Sequence, residues 1–570
     1  MFLRTTSRKN VDGATITYLQ LAESTWNKRT KRSEMKIIHN FGRADSPKLA
    51  ETLRRLTQSI IRRCSPEELV EDKTDWRLID AWPYGDMYVL EALWKRLELD
   101  KLIARLSEGR KYEFSLERAL FAMITNRCIA PCSKLYCHEQ WLRKDVWMEG
   151  SEELEVQHLY RAMDFLIEHK EAIEKSLFFR LGDLLNLDVE IVFYDTTSLH
   201  FEIDHEDAEI ESGNRGEGEA EIEDLLEETE LGSESPPLRK RGYAKNKRSD
   251  LPQIVIGLAV TRDGFPIKHW IFPGNTVDVT TVEQVKEDLK GWRLTRCVFV
   301  ADAGMVSQEN LRVLGMGGGK YIACMPVKRS SEISKEVLER KGRYQYVVEN
   351  LRVKEVIVDE GERRRRYVVC HNPLEQERQR KHREQVVLEL EAELSSLEVS
   401  EGDHSRRVCK LLSSRRYSRY IRKTKTGKLR ISKAKIREYE KLDGKFVVHS
   451  NDDSLSAQDL ALGYKQLMRV EECWRTLKSG LQMRPVYHSL EHRIRAHVML
   501  SVLALLLERM AERACSDTWR NIRDDLKQIK VAQLLGPEGE LWQITEPRSG
   551  ALNRLKLLEI KNPPTILKYS

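Results

Sequence analysis

Two short apolar runs in this chain each close on an aspartate, and this pattern restricts the fold more than any other feature of the sequence. In Val189-Glu190-Ile191-Val192-Phe193-Tyr194-Asp195-Thr196-Thr197-Ser198 the β-branched and aromatic content jumps, which predicts a mostly buried strand ending in a hydroxyl-rich turn. Arg296-Cys297-Val298-Phe299-Val300-Ala301-Asp302-Ala303-Gly304 reads the same way, an apolar strand whose exit carries an acid and a glycine. Aspartate is disfavoured in strands, so an acid in such a place needs a turn, a partner or a metal. Either acid taken singly is explained by a turn. Two adjacent strand ends that converge their carboxylates would instead form a low-dielectric acidic pocket that a divalent cation relieves, and hard oxygen ligands favour magnesium or manganese. A third acid is then to be sought on a helix packed across the sheet.

The flanking sequence has an α/β order. Leu251-Pro252-Gln253-Ile254-Val255-Ile256-Gly257-Leu258-Ala259-Val260 and Phe265-Pro266-Ile267-Lys268-His269-Trp270-Ile271-Phe272 flank Asp263-Gly264, a hairpin signal. A helix is expected over 281–289, a second capped by Ser307, and a strand over 320–327. Upstream, residues 1–45 alternate polar and apolar as a small β segment, and 46–187 turn to helical spacing. The expected divisions are therefore a β segment at 1–45, a helical domain at 46–187, an α/β core at 188–330 resuming at 445–510, a basic insertion at 331–444 and a helical C-terminal region at 511–570.

Charge is distributed in blocks. The net charge of +6, from 96 basic and 90 acidic residues, is too small to imply nucleic acid by itself. Between Glu202 and Glu234, however, stand fifteen acidic residues and one arginine, which predicts a solvated, disordered insert over 202–235. Directly after it comes the basic run Arg239 to Arg248, in which Lys245 and Arg248 are candidate phosphate contacts. Arg406 to Lys441 holds fifteen Lys or Arg interleaved with Tyr417, Tyr420 and Tyr439, a stripe suited to phosphates; a solvated charged helical pair is the plain alternative. The ten cysteines are too sparse for a disulfide framework, and Cys128, Cys132, Cys137 and His138 lack the second pair of a zinc site. The longest apolar run, Val498 to Leu507, is half the roughly 20 residues that cross a bilayer. No membrane association and a reducing cytoplasm are expected.

The third acid has one candidate. In Tyr464 to Lys478, read as a continuous helix, Tyr464, Glu471 and Lys478 recur every seven residues, about two turns, and so share a face with Arg475 beside them. One carboxylate, two cations and a phenol suit a metal-and-phosphate face. The competing explanation is an ordinary amphipathic helix with an internal Glu471 to Arg475 ion pair. Trp474 reads either as core or as a platform for a flipped base.

Taken together, Tyr194-Asp195-Thr196-Thr197-Ser198, Asp302-Ala303-Gly304-Met305-Val306-Ser307 and the Tyr464, Glu471, Lys478 series closely resemble the DDE transposases of bacterial insertion sequences, in the branch with a Tyr-Arg-Glu-Lys signature. The resemblance extends to Gly274-Asn275-Thr276, Leu251-Pro252-Gln253 and Arg127-Cys128-Ile129-Ala130-Pro131-Cys132-Ser133-Lys134-Leu135. Leu467 stands where the signature has arginine, with Arg475 as its substitute, and Ala303 stands where the family commonly has arginine.

The resemblance implies a ribonuclease-H-like core, a mixed sheet flanked by helices, with Asp195 on the central strand, Asp302 on its neighbour and Glu471 on a covering helix. An inserted domain would lie within the segment between Asp302 and Glu471, which stand 169 positions apart (471 − 302). Asp195, Asp302 and Glu471 would be both catalytic and metal-binding, holding two Mg2+ ions, with Mn2+ as an alternative, about 4 Å apart. Tyr464, Arg475 and Lys478, with Lys245 and Arg248, would bind DNA. The partners implied are the double-stranded ends of the element, target DNA and a second copy of the chain in a synaptic homodimer, in a bacterial cytoplasm at the nucleoid.

Overall fold

The computed structural model describes residues 2–9, 15–27, 31–46, 48–49, 51–53, 55–56, 76–185, 191–207, 237–243, 248–292, 298–327, 333–359, 364–399, 404–424, 428–536 and 539–569. The chain divides into two compact units: Met1–Ala81 with Ala532–Ile544 and Thr565–Ser570, and Trp82–Val531 with Thr545–Pro564.

In the first unit, β1 (Phe2–Lys9), β2 (Thr15–Asn27) and β3 (Arg32–Arg43) form an antiparallel meander in that order. Its register sets Leu3 opposite Leu21 and Thr5 opposite Leu19, cross-strand pairs of the kind that hold a small sheet. A second sheet has the order β18-β17-β16-β4, from β4 (Arg77–Pro83), β16 (Lys530–Gly536), β17 (Gly539–Ile544) and β18 (Ile566–Tyr569). These four strands correct the expectation of helix throughout 46–187 and 511–570. Each run is only four to seven residues long, too short for a stable helix, and the close approach at Gly536, where a Cβ would meet the Trp76 ring at 2.7 Å, suits paired strands.

The second unit begins with helices α1 (Gly85–Arg96), α2 (Leu99–Leu106), α3 (Leu116–Ile129), α4 (Lys134–Tyr136), α5 (Val156–Glu168) and α6 (Lys170–Leu185). Ser115 caps α3 by accepting from Arg118 N, as the sequence order Ser-x-x-Arg permits. Later in the chain, α14 (Glu491–Cys515) runs between α3 and α5 with every residue from Val498 to Leu507 buried. A helix that is apolar all round is stable in water only when surrounded in this way. Among the described residues no helix is long and apolar enough to cross a membrane.

Beyond α6 lies the large sheet, built from β5 (Ile191–His200), β6 (Gln253–Val260), β7 (Pro266–Pro273), β8 (Val298–Ala301), β9 (Lys320–Met325), β10 (Gln345–Val348), β11 (Leu351–Val358), β12 (Arg365–His371) and β15 (Lys445–Ser450). Its order is β10-β11-β12-β15-β9-β8-β5-β6-β7. β6 pairs antiparallel with both β5 and β7, whereas β5, β8 and β9 run parallel. All eight residues of β6 are buried, which requires cover on both faces and accounts for its unbroken apolar sequence. On one face pack Val282, Val285 and Leu289 of α7 (Val282–Lys290) with Leu311 and Leu314 of α8 (Gln308–Gly315). On the other lie α12 (Ala457–Lys465) and α13 (Met468–Arg475).

The zone from 331 to 444 contributes in two ways. Gln345 to His371 add the antiparallel strands β10, β11 and β12 to the edge of the large sheet, joined through β15 to β9. The remainder, α9 (Pro373–Val399), α10 (His404–Ser413), the hairpin β13 (Ile421–Lys423) with β14 (Leu429–Ile431), and α11 (Lys433–Glu440), gathers round its own small core of Val386, Leu390, Leu411, Tyr420 and Ile421. Most of the expected acidic insert lies outside the described residues. At its described edges Asp207 accepts from Leu238 N at 3.0 Å and Arg239 N at 2.7 Å.

A buried polar cluster fixes the helical part to the edge of the sheet. Glu174 of α6 accepts from Lys170 Nζ at 2.7 Å, from His269 N at 3.0 Å and pairs with His269 Nδ1 at 2.6 Å, while its neighbour Glu171 accepts from Trp292 Nε1 at 2.8 Å and Lys268 Nζ at 2.5 Å. Burial opposes the Glu174 carboxylate, but His269 and Lys170 outweigh it and hold the group down to about 2. Burial, with Lys170 beside it, lowers His269. Glu174→Gln is expected to destabilise the fold by about 3–5 kcal/mol at neutral pH, as for one partner removed from a buried ion pair. A carboxylate with a depressed pKa stabilises fully above its unfolded value of 4.5 and loses that effect as pH falls toward about 2. Urea midpoints of the two proteins should therefore converge between pH 4.5 and the acid limit and stay apart above it.

Candidate functional site

The parallel register of β5 and β8 pairs Ile191 with Val298, Val192 with Phe299 and Phe193 with Val300. Two residues further along each strand (193 + 2 and 300 + 2) come Asp195 and Asp302, so the two acids stand level on neighbouring strands and project to the same face. Parallel neighbours lie about 4.8 Å apart, which brings two carboxylates within mutual reach. Asp195 is half-buried and Asp302 exposed at the strand exit. The next strand extends the row: Ala301 pairs with Ala323, which sets Cys324 level with Asp302.

Tyr464, near the end of α12, closes over this row and donates from its phenol to Asp302 Oδ1 at 2.9 Å. Its ring also packs against Phe446 at 5.4 Å. Burial, with Cys324 and Asp302 beside it, pushes the Tyr464 phenol far up, so the group stays a proton donor. Burial also pushes the Cys324 thiol up, to about 11. From the other side Lys478 Nζ donates to Thr197 Oγ1, two residues beyond Asp195 on the same face of β5. Thus Asp195, Asp302, Tyr464 and Lys478 are brought to one place.

Glu471 is not gathered with them. The expected continuous helix over 464–478 is interrupted: α12 ends at Lys465, Leu467 N and Arg469 N make tight bonds to Tyr464 O and Gln466 O three residues back, and after α13 the residues Thr476–Gly480 form a π turn. Tightening and then widening the helix changes its phase, so seven-residue spacing no longer guarantees a common face. Glu471 is exposed, and among the described residues no three His, Cys, Asp or Glu side chains gather closely enough to hold a metal ion. Asp195 and Asp302 nonetheless supply the level pair of hard oxygen donors that suits a divalent cation. Arg475 is exposed on α13, and no hydrogen bond or ion pair joins it to Glu471 among the described residues. Trp474 is 6% exposed and belongs to the core. Leu467 is buried as well, which explains why an apolar residue suits that position.

Several neighbours of the site are not evident from sequence. Thr196, on the opposite face of β5 from Asp195, donates to Asp278 Oδ1 at 2.5 Å, and Asp278 Oδ2 lies 3.6 Å from where a Cβ on Gly304 would stand. Asp278 follows Gly274-Asn275-Thr276, and its only signal in the sequence is an acid shortly after a strand. At the far end of β5, His200 is held low by burial and by the cations Arg484, Arg248 and Lys478. Arg248 forms an exposed ion pair with Asp250 at 3.0 Å. Lys245 lies outside the described residues.

Comparison with known proteins gives two family matches. Residues 227–507 match the model of a transposase DDE domain, and residues 3–72 match the N-terminal domain of the IS1634 family transposases. The first match contains Asp302, Tyr464, Glu471, Arg475 and Lys478, and Asp195 precedes it. Among solved structures the chain is similar to a piggyBac transposase in a synaptic complex with hairpin DNA, at 11% identity and a TM-score of 0.33, over 83% of this chain and 79% of that one. No curated protein matches.

Tyr464→Phe keeps the ring packing on Phe446 and removes the bond to Asp302 together with the weaker contact to the Cys324 thiol. It should cost about 0.5–1.5 kcal/mol in chemical denaturation with an unchanged slope against denaturant. A loss several times larger would mean that the phenol carries packing rather than one hydrogen bond.

Proposed function

From the premise that the chain belongs to the DDE transposases of insertion sequences, we propose that it binds the terminal inverted repeats of its element, cleaves at the ends and joins the freed 3′-hydroxyls to target DNA. The observation that carries this reading is the register setting Asp195 level with Asp302, with Tyr464 and Lys478 closing over them. The strand order β7-β6-β5-β8-β9, antiparallel across its first three members and parallel across its last three, supports a ribonuclease-H-like core. In it β5 is the central strand, and the 331–444 zone is an insertion that also lengthens the sheet.

DDE transposase domains use divalent metal. In this proposal Asp195 and Asp302 hold the ions and Glu471 completes the set when DNA is bound, with two Mg2+ per site and Mn2+ as an alternative. Bound there, such ions supply the Lewis acidity that activates a water or 3′-hydroxyl and neutralises the leaving oxygen.

The protein's own residues orient the reactants. Tyr464 fixes one oxygen of Asp302 and so acts as a positioning residue as well as a DNA contact. Lys478, anchored at Thr197, places a cation beside Asp195, where it meets the phosphate next to the cleaved bond. Arg475, exposed on α13, takes a neighbouring phosphate, and Arg248 exchanges its exposed Asp250 partner for another; Lys245 is proposed beside them on its sequence position alone. Cutting two ends calls for a homodimer in the synaptic complex. The exposed position of Glu471 favours one second reading, a DNA-binding relic without catalysis.

A duplex bearing the element's ends, incubated with Mg2+, separates these readings. The intact protein should nick and join, and Asp195→Ala, Asp302→Ala and Glu471→Ala should each lower the rate by at least roughly 10²–10³-fold while retaining binding. Equal binding with no cutting by any of the four proteins would establish the relic. Cutting without joining would instead indicate a ribonuclease-H-like nuclease.

A further inference from the structure

Away from the aspartate row, the segment Arg127 to Leu135 and the loop before α14 enclose an open cavity of about 610 Å³. Lys134 lines it and is only 3% exposed, yet its Nζ has no hydrogen-bond partner. Arg127, also 3% exposed, donates to the carbonyls of Gln482 and Cys132 at 3.1 Å each and leaves its Nε unpartnered. Among the described residues no carboxylate forms an ion pair with either cation. Asp164, an acid that acts on His488, is engaged by Arg493 at 3.4 Å and His492 at 3.2 Å.

An unpaired buried ammonium beside a buried guanidinium is costly, and a fold that only had to be stable would place an apolar side chain there. No carboxylate lines the cavity, and its two buried cations, Lys134 and Arg127, suit an anion. Its mouth carries two exposed phenols, Tyr136 at 53% and Tyr487 at 68%. Burial and the adjacent Arg127 push Lys134 down to about 7, and burial with Lys134, Arg493 and Arg127 takes His488 to about 3. Both shifts come from burial first and from neighbouring cations second, with Cys137 and Cys132 offsetting part of the effect on Lys134.

The cavity is also connected to the strand that bears Asp195. Tyr487 and His488 are shared with a second cavity of about 730 Å³, lined by His200, Arg239 and Arg484. His200 is the last residue of β5, five positions beyond Asp195. A continuous run of residues therefore leads from the end of β5, past the cation Arg484 and the neutral imidazole of His488, to Lys134.

We propose that Lys134 and Arg127 seat a backbone phosphate of the DNA strand whose cleaved end lies at Asp195 and Asp302, with Tyr487 closing over it. This rests on the transposase reading and adds to it a fixed second phosphate seat outside the catalytic row. Lys134 is the test residue, because its Nζ makes no internal bond that a substitution would break.

The affinity of the full chain for a duplex bearing the element's ends is measured across a salt series, for the intact protein, Lys134→Gln, Lys134→Arg and Tyr487→Phe. Lys134→Gln should bind about ten- to a hundredfold more weakly and lower the slope of log K against log salt by about one. Lys134→Arg should keep the slope, and Tyr487→Phe should lose about threefold. Lys134→Met, free of DNA, should melt no lower than the intact protein, since it removes an unpaired buried charge. Unchanged affinity and slope in folded Lys134→Gln would overturn the seat alone. Should the Lys134 variants fail to fold, the field they were held to strain is structural and the inference falls, as it does if Tyr487→Phe binds like the intact chain. Failure of the intact protein to bind any duplex would overturn the transposase reading itself.

Discussion

The register between β5 and β8 is the constraint on which the site depends. Parallel strands buried on both faces must keep their apolar residues in step, because a one-residue slip would turn Val192, Phe193 and Val300 to the wrong sides. Keeping those core residues in step also brings Asp195, midway along β5, level with Asp302 at the exit of β8. The two acids need no interaction of their own to find each other; the hydrophobic core aligns them. That arrangement also tolerates their mutual repulsion, which is small beside the burial of two strands.

Around this row the charge is arranged by distance from the sheet. Close to the strand ends the cations are few and anchored, as Lys478 is at Thr197. Further out they collect where backbone segments approach, at Arg484 and the Lys134 cavity, and on the small 373–441 cluster that carries the Arg- and Lys-rich stripe. A modest net charge of +6 thus conceals strongly basic tracks beside an acidic centre. Such separation suits a polyanion held over a site that must itself stay negative.

Much of the sheet was legible in the sequence because its apolar runs and the Asp263-Gly264 hairpin are local signals, and β5, β6, β7, β8 and β9 follow them. The hydroxyl-rich turn expected after Asp195 is instead a continuation of β5 to His200, because Thr196, Thr197 and Ser198 pair with β6. What was not legible depends on distant partners. The strands β4, β16, β17 and β18 are short and gain their stability only from one another. Gln345 to His371, in a zone that composition marks as separate, instead pair with β15 and so continue the large sheet. Lys134 is one lysine among many in the sequence, and only its burial without a partner sets it apart. Glu471 illustrates the converse: its seven-residue spacing suggested a shared face, but the backbone between Tyr464 and Lys478 does not keep one helical phase.

That loss of phase has a use of its own. Leu467 is buried in the tight turn between α12 and α13, so an arginine there would have to bury its guanidinium or open the turn. The cation at the site therefore has to come from further along the chain. Lys478 meets that need from within the π turn at Thr476–Gly480, where its ammonium reaches Thr197. An ideal helix would align Tyr464, Glu471 and Lys478 on one face. The irregular helix gives up that alignment, leaving Glu471 at the surface while both flanking groups reach the strands that bear the aspartates.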